Sequence, residues 1–235
     1  MTVKSTSGAI LIIGASRGLG HAMAAEFLKR GWQVVGTVRG ESRTLLHDLA
    51  DQHPGRVEIA CLDITVPDQI SALHDRFAGR RFDILFVNAG TANKHQDATI
   101  ADVSTQEFAQ VMVTNTLGPM RVIEALQDRV AATGLIGVMS SGQGSVGNNE
   151  KGGHEIYRAS KAALNQCMRS YAARHAGEPR ALLLMAPGWI RTDLGGPDAR
   201  FSMEETVPDI VDVVIAKQGK PGLEYLDRFG NAVVW

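Results

Sequence analysis

Five apolar residues, Ala9–Ile13, run straight into a loop holding three glycines: Gly14, Ala15, Ser16, Arg17, Gly18, Leu19, Gly20. Ala22, Ala25, Phe27 and Leu28 follow among the apolar positions of a helical pattern. A strand therefore passes into a helix through a glycine-rich turn. Gly14 can turn the chain sharply, while Gly18 and Gly20 leave room for a ligand and for close helix–strand packing. The opening of the helix points free N–H groups at whatever anion sits there. A plain strand-to-helix turn needs one glycine. Three, spaced G-x-x-x-G-x-G, point to the pyrophosphate of a dinucleotide.

The same alternation continues down the chain. After the first helix (18–30, closed by Gly31) come a strand at Gln33–Val38, a helix at 43–52 and a strand at 57–62. A helix at 67–77, with Pro67 in its first turn, precedes a strand at 83–87 and a long helix at 105–130. Strand 135–140, helix 155–175, strand Ala181–Ala186 and helix Met203–Lys217 complete the pattern, with extended pieces at 223–226 and 232–234. Strands that lack strict alternation and are separated by helices imply a parallel sheet covered on both faces. The expectation is an α/β, doubly wound Rossmann fold with about seven mostly parallel strands, its ligand at the strands' carboxyl ends. The 235 residues hold no repeat, low-complexity tract or linker, so one domain is expected.

Bulk properties exclude several classes. The net charge is -1 and the basic residues are dispersed, so neither nucleic acid nor an anionic membrane is an expected partner. Two cysteines, Cys61 and Cys167, make no disulfide framework or metal motif and read as small core residues. No metal is expected. No apolar stretch nears the ~20 residues of a membrane helix, and the opening residues are polar and lack a signal-peptide core. The cytoplasm is the default compartment.

Arg17 and Arg39 bear on the choice of dinucleotide. Arg39 follows the second strand, where the adenosine ribose belongs. An acid there suits NAD, whereas a 2′-phosphate wants a cation. The stretch reads Gly36, Thr37, Val38, Arg39, with no acid before Glu41. NADP(H) is therefore preferred over NAD(H), with Arg17 able to reach the same phosphate.

Tyr157 and Lys161 stand four apart in a helical stretch, on one face. A free phenol, with a pKa near ~10, is a poor acid/base at neutral pH, and a nearby cation is expected to lower it toward a useful value. Ser141 ends the fifth strand, placed to hydrogen-bond a substrate oxygen. Asn88, Ala89 and Gly90 form a small-residue turn after the fourth strand. Asn115 is unusual in mid-helix; a buried amide there needs partners, and a water chain to Lys161 would supply them.

Together Gly14, Gly18, Gly20, Asp63, Asn88-Ala89-Gly90, Asn115, Ser141, Tyr157, Lys161 and Pro187-Gly188 resemble, in identity and order, the short-chain dehydrogenases/reductases. The resemblance covers essentially the whole chain. Ser140 to Ser145, Gly152-Gly153, Tyr157 to Asn165, Pro187 to Asp193, Gly195 to Pro197 and the ending Leu226 to Trp235 are most similar to the C-factor/sniffer-type carbonyl reductases. The resemblance implies that Tyr157 exchanges a proton with the substrate oxygen and that Lys161 lowers its pKa and holds the nicotinamide ribose. It further implies that Ser141 orients the carbonyl and that Asn115 helps hold a relay water. Ser16, Arg17 and Leu19 would join the glycines around the cofactor, with Asp63 and Ile64 against the adenine and Asn88, Ala89 and Gly90 lining the cleft. Pro187, Gly188, Ile190 and Thr192 would run beside the nicotinamide. Ile13 and Val87 depart from common family residues at positions that are usually structural.

The expected activity is NADP(H)-dependent hydride transfer between nicotinamide and a carbonyl or alcohol carbon, reducing a ketone, aldehyde or quinone. A dinucleotide-binding sensor or signalling protein of the C-factor type, with incidental catalysis, is the alternative. A sugar-nucleotide epimerase would want a longer chain. Val146, His154, Trp189, Leu194, Phe201 and Met203 are expected to border an apolar substrate pocket, under a short glycine-rich lid at 194–201. The resemblance implies a homodimer or homotetramer built through helices 105–130 and 155–175. Trp235 would pack at that interface or on its own core.

Overall fold

The computed structural model describes residues 7–235. The polar opening stretch 1–6 lies outside them. Seven parallel strands form one sheet: β1 (Ala9–Ile13), β2 (Gln33–Val38), β3 (Val57–Cys61), β4 (Phe82–Val87), β5 (Val130–Met139), β6 (Ala181–Ala186) and β7 (Gly222–Asp227). Their order is β3-β2-β1-β4-β5-β6-β7. The order reverses between β1 and β4, which opens a crevice above their carboxyl ends.

The two faces are built by period-2 alternation. Ile10 and Ile12 of β1 point to one side, against α1 (Gly18–Lys29), α2 (Leu45–Gln52) and α7 (Met203–Lys217). Leu11 and Ile13 point to the other, against α3 (Pro67–Arg76), α5 (Gly118–Leu126) and α6 (Glu155–Arg174). All four are fully buried. Covering both faces is what lets β1 be apolar throughout. Among the described residues, no helix is long and apolar enough to cross a membrane.

Three expectations need correction. The helix expected over 105–130 is α4 (Thr105–Met112), a π-helical stretch at Val113–Leu117, α5 and a 3-10 turn at Gln127–Arg129. The cause is legible in covalent terms: Pro119 has no N–H to offer the Asn115 carbonyl four residues back, and its ring crowds that carbonyl. Strand β5 begins at Val130, not 135, with a register shift where Phe82 pairs Val130 but Ile84 pairs Leu135. Residues 232–234 form no strand; Ala232 makes one antiparallel bridge to Leu226.

The cysteine expectation also fails. Cys61 is exposed and Cys167 half-buried, both as free thiols. Cys61 ends the edge strand β3.

Candidate active site

The glycine loop is shaped by close approach. The Gly14 N–H donates to the Thr37 hydroxyl at 2.8 Å, and the Ala15 N–H to the Thr37 carbonyl at 2.8 Å. Asn88 Nδ2 donates to the Gly14 carbonyl at 2.8 Å, tying β4 to the loop. Gly14 has φ +85°, and a Cβ there would sit 2.9 Å from Ala89. A Cβ on Gly20 would fall 2.1 Å from the Gly14 oxygen and 2.6 Å from Asn88 Nδ2. Gly18 is different: its φ is +57°, and a Cβ would meet nothing within 4 Å. Gly14 and Gly20 thus serve the packing of β1, β4 and α1, while Gly18 faces open space.

That space suits an anion. Arg17, the N-cap of α1, makes no side-chain capping bond, and the first turn contains no acid. The uncapped N–H groups and the positive end of the helix dipole point into it. Ser16 and Leu19 flank the turn, both half-buried. Arg17 is exposed and pairs across the cleft with Asp193 at 2.9 Å. Arg39 is exposed just past β2, and its charge helps hold the Asp63 carboxyl below its ordinary value. The larger cause is the Thr65 hydroxyl, which donates to Asp63 at 2.7 Å. Ile64 is buried beside Asp63. The residues therefore fit a dinucleotide: a bare helix end for the pyrophosphate, with Arg17 and Arg39 exposed beside it.

The second half of the site lies at the carboxyl end of β5. Ser141 N-caps a short turn, Gly142–Gly144, and its hydroxyl accepts from the Gln143 N–H at 3.1 Å. Tyr157 and Lys161 project from the first turns of α6. Burial pushes the Tyr157 phenol up to about 12, opposed by hydrogen bonding with the Ser141 side chain. Burial pushes the Lys161 ammonium down to about 8. The lowering of the phenol expected from Lys161 is absent here: desolvation is the largest influence on it, and Lys161 is not among the groups that shift it. Lys161 Nζ instead donates to the Met139 carbonyl at 2.9 Å and lies 5.8 Å from the centre of the Tyr157 ring.

Asn115 is fully buried in the π-helical stretch. Its Oδ1 accepts from the Thr91 N–H, and its Nδ2 donates to the Thr91 carbonyl and to Ser160 Oγ, at 2.8, 2.8 and 2.9 Å. Its partners are protein groups, which corrects the expectation that its amide depends on water. A Cβ on Gly90 would lie 3.4 Å from Asn115 Oδ1 and 3.5 Å from Lys161 Nζ, so these three residues meet at one point.

Beyond β6, Pro187 is buried and Gly188 has φ +94°. Ile190 is buried and bridges to Phe201. Thr192 Oγ1 accepts from the Gly195 N–H at 3.0 Å. The segment expected to act as a lid is tied down at several points. Trp189 Nε1 donates to the Gly195 carbonyl at 2.7 Å, and the Arg191 N–H to the Phe201 carbonyl at 2.9 Å. Val146, Trp189 and Leu194 expose large apolar side chains. Phe201 lies beneath Arg228, 3.8 Å from its ring centre, and Met203 packs on the α1–α7 side of the core, so neither is free at the cleft mouth. His154 precedes α6 in a left-handed conformation, φ 51°.

Sequence reasoning did not single out Thr37, Thr91, Ser160, Asn165, Asp193 or Tyr225. Thr37 had a local signal, being a hydroxyl inside an otherwise apolar strand.

A family model described as enoyl-(acyl carrier protein) reductase matches residues 14–209. A Burkholderia multivorans structure, described as a short-chain dehydrogenase/reductase with bound NADP, is 62% identical with a TM-score of 0.96, covering 97% of this chain and 100% of its own. A carbonyl reductase of Pseudomonas aeruginosa PAO1, solved with NADP, is 33% identical with a TM-score of 0.90, covering 98% of this chain and all of the other. The C-signal of Myxococcus xanthus is 33% identical over 155 residues, 65% of this chain and 92% of that protein. The matched span runs from the glycine loop into α7, and the chain belongs to the short-chain dehydrogenase/reductase family of oxidoreductases.

Proposed function

We propose that the chain is an NADP(H)-dependent carbonyl reductase acting on a ketone, aldehyde or quinone. One observation carries this reading: Lys161 Nζ lies 5.8 Å from the Tyr157 ring centre and 2.9 Å from the Met139 carbonyl at the end of β5, where Asn115 and Gly90 also meet it.

The bound cofactor would supply the hydride, two electrons with one hydrogen, to the carbonyl carbon. Tyr157 would give its phenolic proton to the oxygen as negative charge develops there. A phenol near 12 is protonated at neutral pH, which suits a proton donor in the reductive direction. Ser141 would hydrogen-bond the same oxygen, and the Lys161 cation would stabilise the phenolate left behind. Pro119 leaves the Asn115 carbonyl without its helical donor. That carbonyl and Lys161 would hold a relay water, as the family resemblance implies. Asp63 and Ile64 would flank the adenine, Asn88, Ala89 and Gly90 the cleft, and Pro187, Gly188, Ile190 and Thr192 the nicotinamide.

Arg17 and Arg39 favour NADP(H) over NAD(H), as do the two neighbours solved with NADP. The exposed Val146, Trp189 and Leu194 favour an apolar substrate. Exposed Phe108 and Leu117, from the 105–130 region, favour a homodimer or homotetramer built through it.

A second reading rests on the C-signal likeness: a dinucleotide-binding signalling protein in which turnover is incidental. Tyr157→Phe separates the two. General acid catalysis is worth ~10²–10⁴-fold, so the variant is expected to keep NADPH binding and lose nearly all carbonyl turnover. Retained turnover overturns the assignment of Tyr157.

A further inference from the structure

Behind the proposed site, β7 and the residues after it grip the Ser141 turn. Tyr225, on β7, is 2% exposed, and its hydroxyl donates to the Ser141 carbonyl. The same carbonyl accepts from the Gly144 N–H at 2.8 Å, so both of its lone pairs are used. Asn165, one turn beyond Lys161, accepts from Ser140 Oγ at 2.6 Å and donates to the Gly144 carbonyl at 3.2 Å.

The far end of the turn is held by segment 232–235. The Val233 N–H donates to the Tyr225 carbonyl at 2.8 Å, laying this segment on β7. The Trp235 carbonyl then accepts from the Gly147 N–H at 2.9 Å. The Trp235 ring centre lies 5.4 Å from that of Tyr225, and Arg169 of α6 places its guanidinium 4.4 Å from the Trp235 ring centre. Val234 fills the space beside Gly147, where a Cβ would come within 2.8 Å. A ring tilted against a buried tyrosine, with an arginine over it, is held by dispersion and cation–π attraction together.

We infer that Tyr225 and Trp235 are positioning residues, a clamp that fixes the Ser141 backbone and thereby aims the Ser141 hydroxyl at the oxygen it shares with Tyr157. Ser141 lies two residues past the end of β5, beyond the ladder that orients the strand. Its Oγ direction follows its backbone, and the Tyr225 hydroxyl holds that backbone through the Ser141 carbonyl. A displacement near 1 Å at a reacting centre costs on the order of 100-fold in rate.

This inference rests on the reductase reading, and its test separates the two. Tyr225→Phe and Trp235→Ala are compared with the parent by amide hydrogen exchange at Gly144 and Gly147, by NADPH titration, and by carbonyl reduction. We expect faster exchange at those amides, an unchanged NADPH Kd, and a kcat lowered roughly tenfold with little change in KM. Trp235→Phe, which keeps an aromatic ring under Arg169, should restore most of the kcat. Trp235 is partly exposed, so its variants are expected to fold even if Tyr225→Phe does not. Unchanged exchange overturns the clamp. Faster exchange with parental kcat overturns the positioning role. A parent that binds NADPH yet reduces no carbonyl overturns the reductase reading and the positioning role with it, while exchange still decides whether the clamp exists.

Discussion

The Lys161 ammonium lies 5.8 Å from the centre of the Tyr157 ring while donating, at 2.9 Å, to the carbonyl of Met139. Helix α6 thereby delivers a proton donor and a cation to the end of β5, and burial moves their acidities apart: the phenol up to about 12, the ammonium down to about 8.

That pair sets the pH dependence. Tyr157 keeps its proton across the working range, whereas Lys161 loses its charge near 8. The kcat/KM for carbonyl reduction reports the free enzyme. It should be flat through neutrality and fall along a limb centred near pH 8. A plateau reaching pH 10 would show that the Lys161 charge is not required.

Stability carries the same signature. Lys161 has a lowered pKa when folded, so between about 8 and its ordinary 10.5 the unfolded chain binds more protons than the native one. Stability from this group therefore rises with pH across that window. Below it, the burial of the charge costs about 3 kcal/mol. Relative to Lys161→Met, the parent should gain several degrees of Tm between pH 8 and 10. A Tm gap that stays constant with pH would contradict a buried, titrating lysine.

The glycines should fail in different ways. Gly20→Ala drives a Cβ into the Gly14 carbonyl, with expected destabilisation of about 1–3 kcal/mol or more. Gly18→Ala meets no atom and carries only the left-handed backbone cost of about 1–2 kcal/mol, yet it fills the space proposed for the pyrophosphate. Thermal melts with and without NADPH distinguish them: Gly18→Ala should melt only several degrees below the parent and lose the stabilisation that NADPH confers, whereas Gly20→Ala should melt lower still. Equal losses of binding and stability in both variants would contradict this division.

How far these features were legible depends on sequence distance. The glycine loop, the strand–helix alternation and the Tyr157–Lys161 pair are local patterns, and each stands where the pattern places it. Pro119 was also local, and reading it against Asn115 would have broken the long helix. Tyr225 and Ser141 are separated by 84 residues, and Gly14 and Thr37 by 23. Such contacts are created by the sheet order, so no periodicity announces them. The raised phenol of Tyr157 is likewise a product of burial, which the Y-x-x-x-K spacing does not encode.

Nucleotide choice tests the arginines. Arg39→Ala should weaken NADPH binding by about tenfold or more, as expected for the loss of a charge-assisted contact to phosphate, and leave NADH binding nearly unchanged. Equal effects on both nucleotides would remove Arg39 from the 2′-phosphate. Asp193→Asn releases Arg17 from its pair, and we expect it to tighten NADPH binding modestly. Weaker binding in that variant would mean that Asp193 itself supports the nucleotide.

The most direct measurement titrates the purified protein with NADPH and NADH and then follows loss of reduced-nicotinamide absorbance across a panel of ketones, aldehydes and quinones. We expect tighter binding of NADPH than of NADH, with turnover of at least one apolar carbonyl. Binding without turnover across the panel would contradict the reductase reading and favour the signalling one, and binding of neither nucleotide would contradict both.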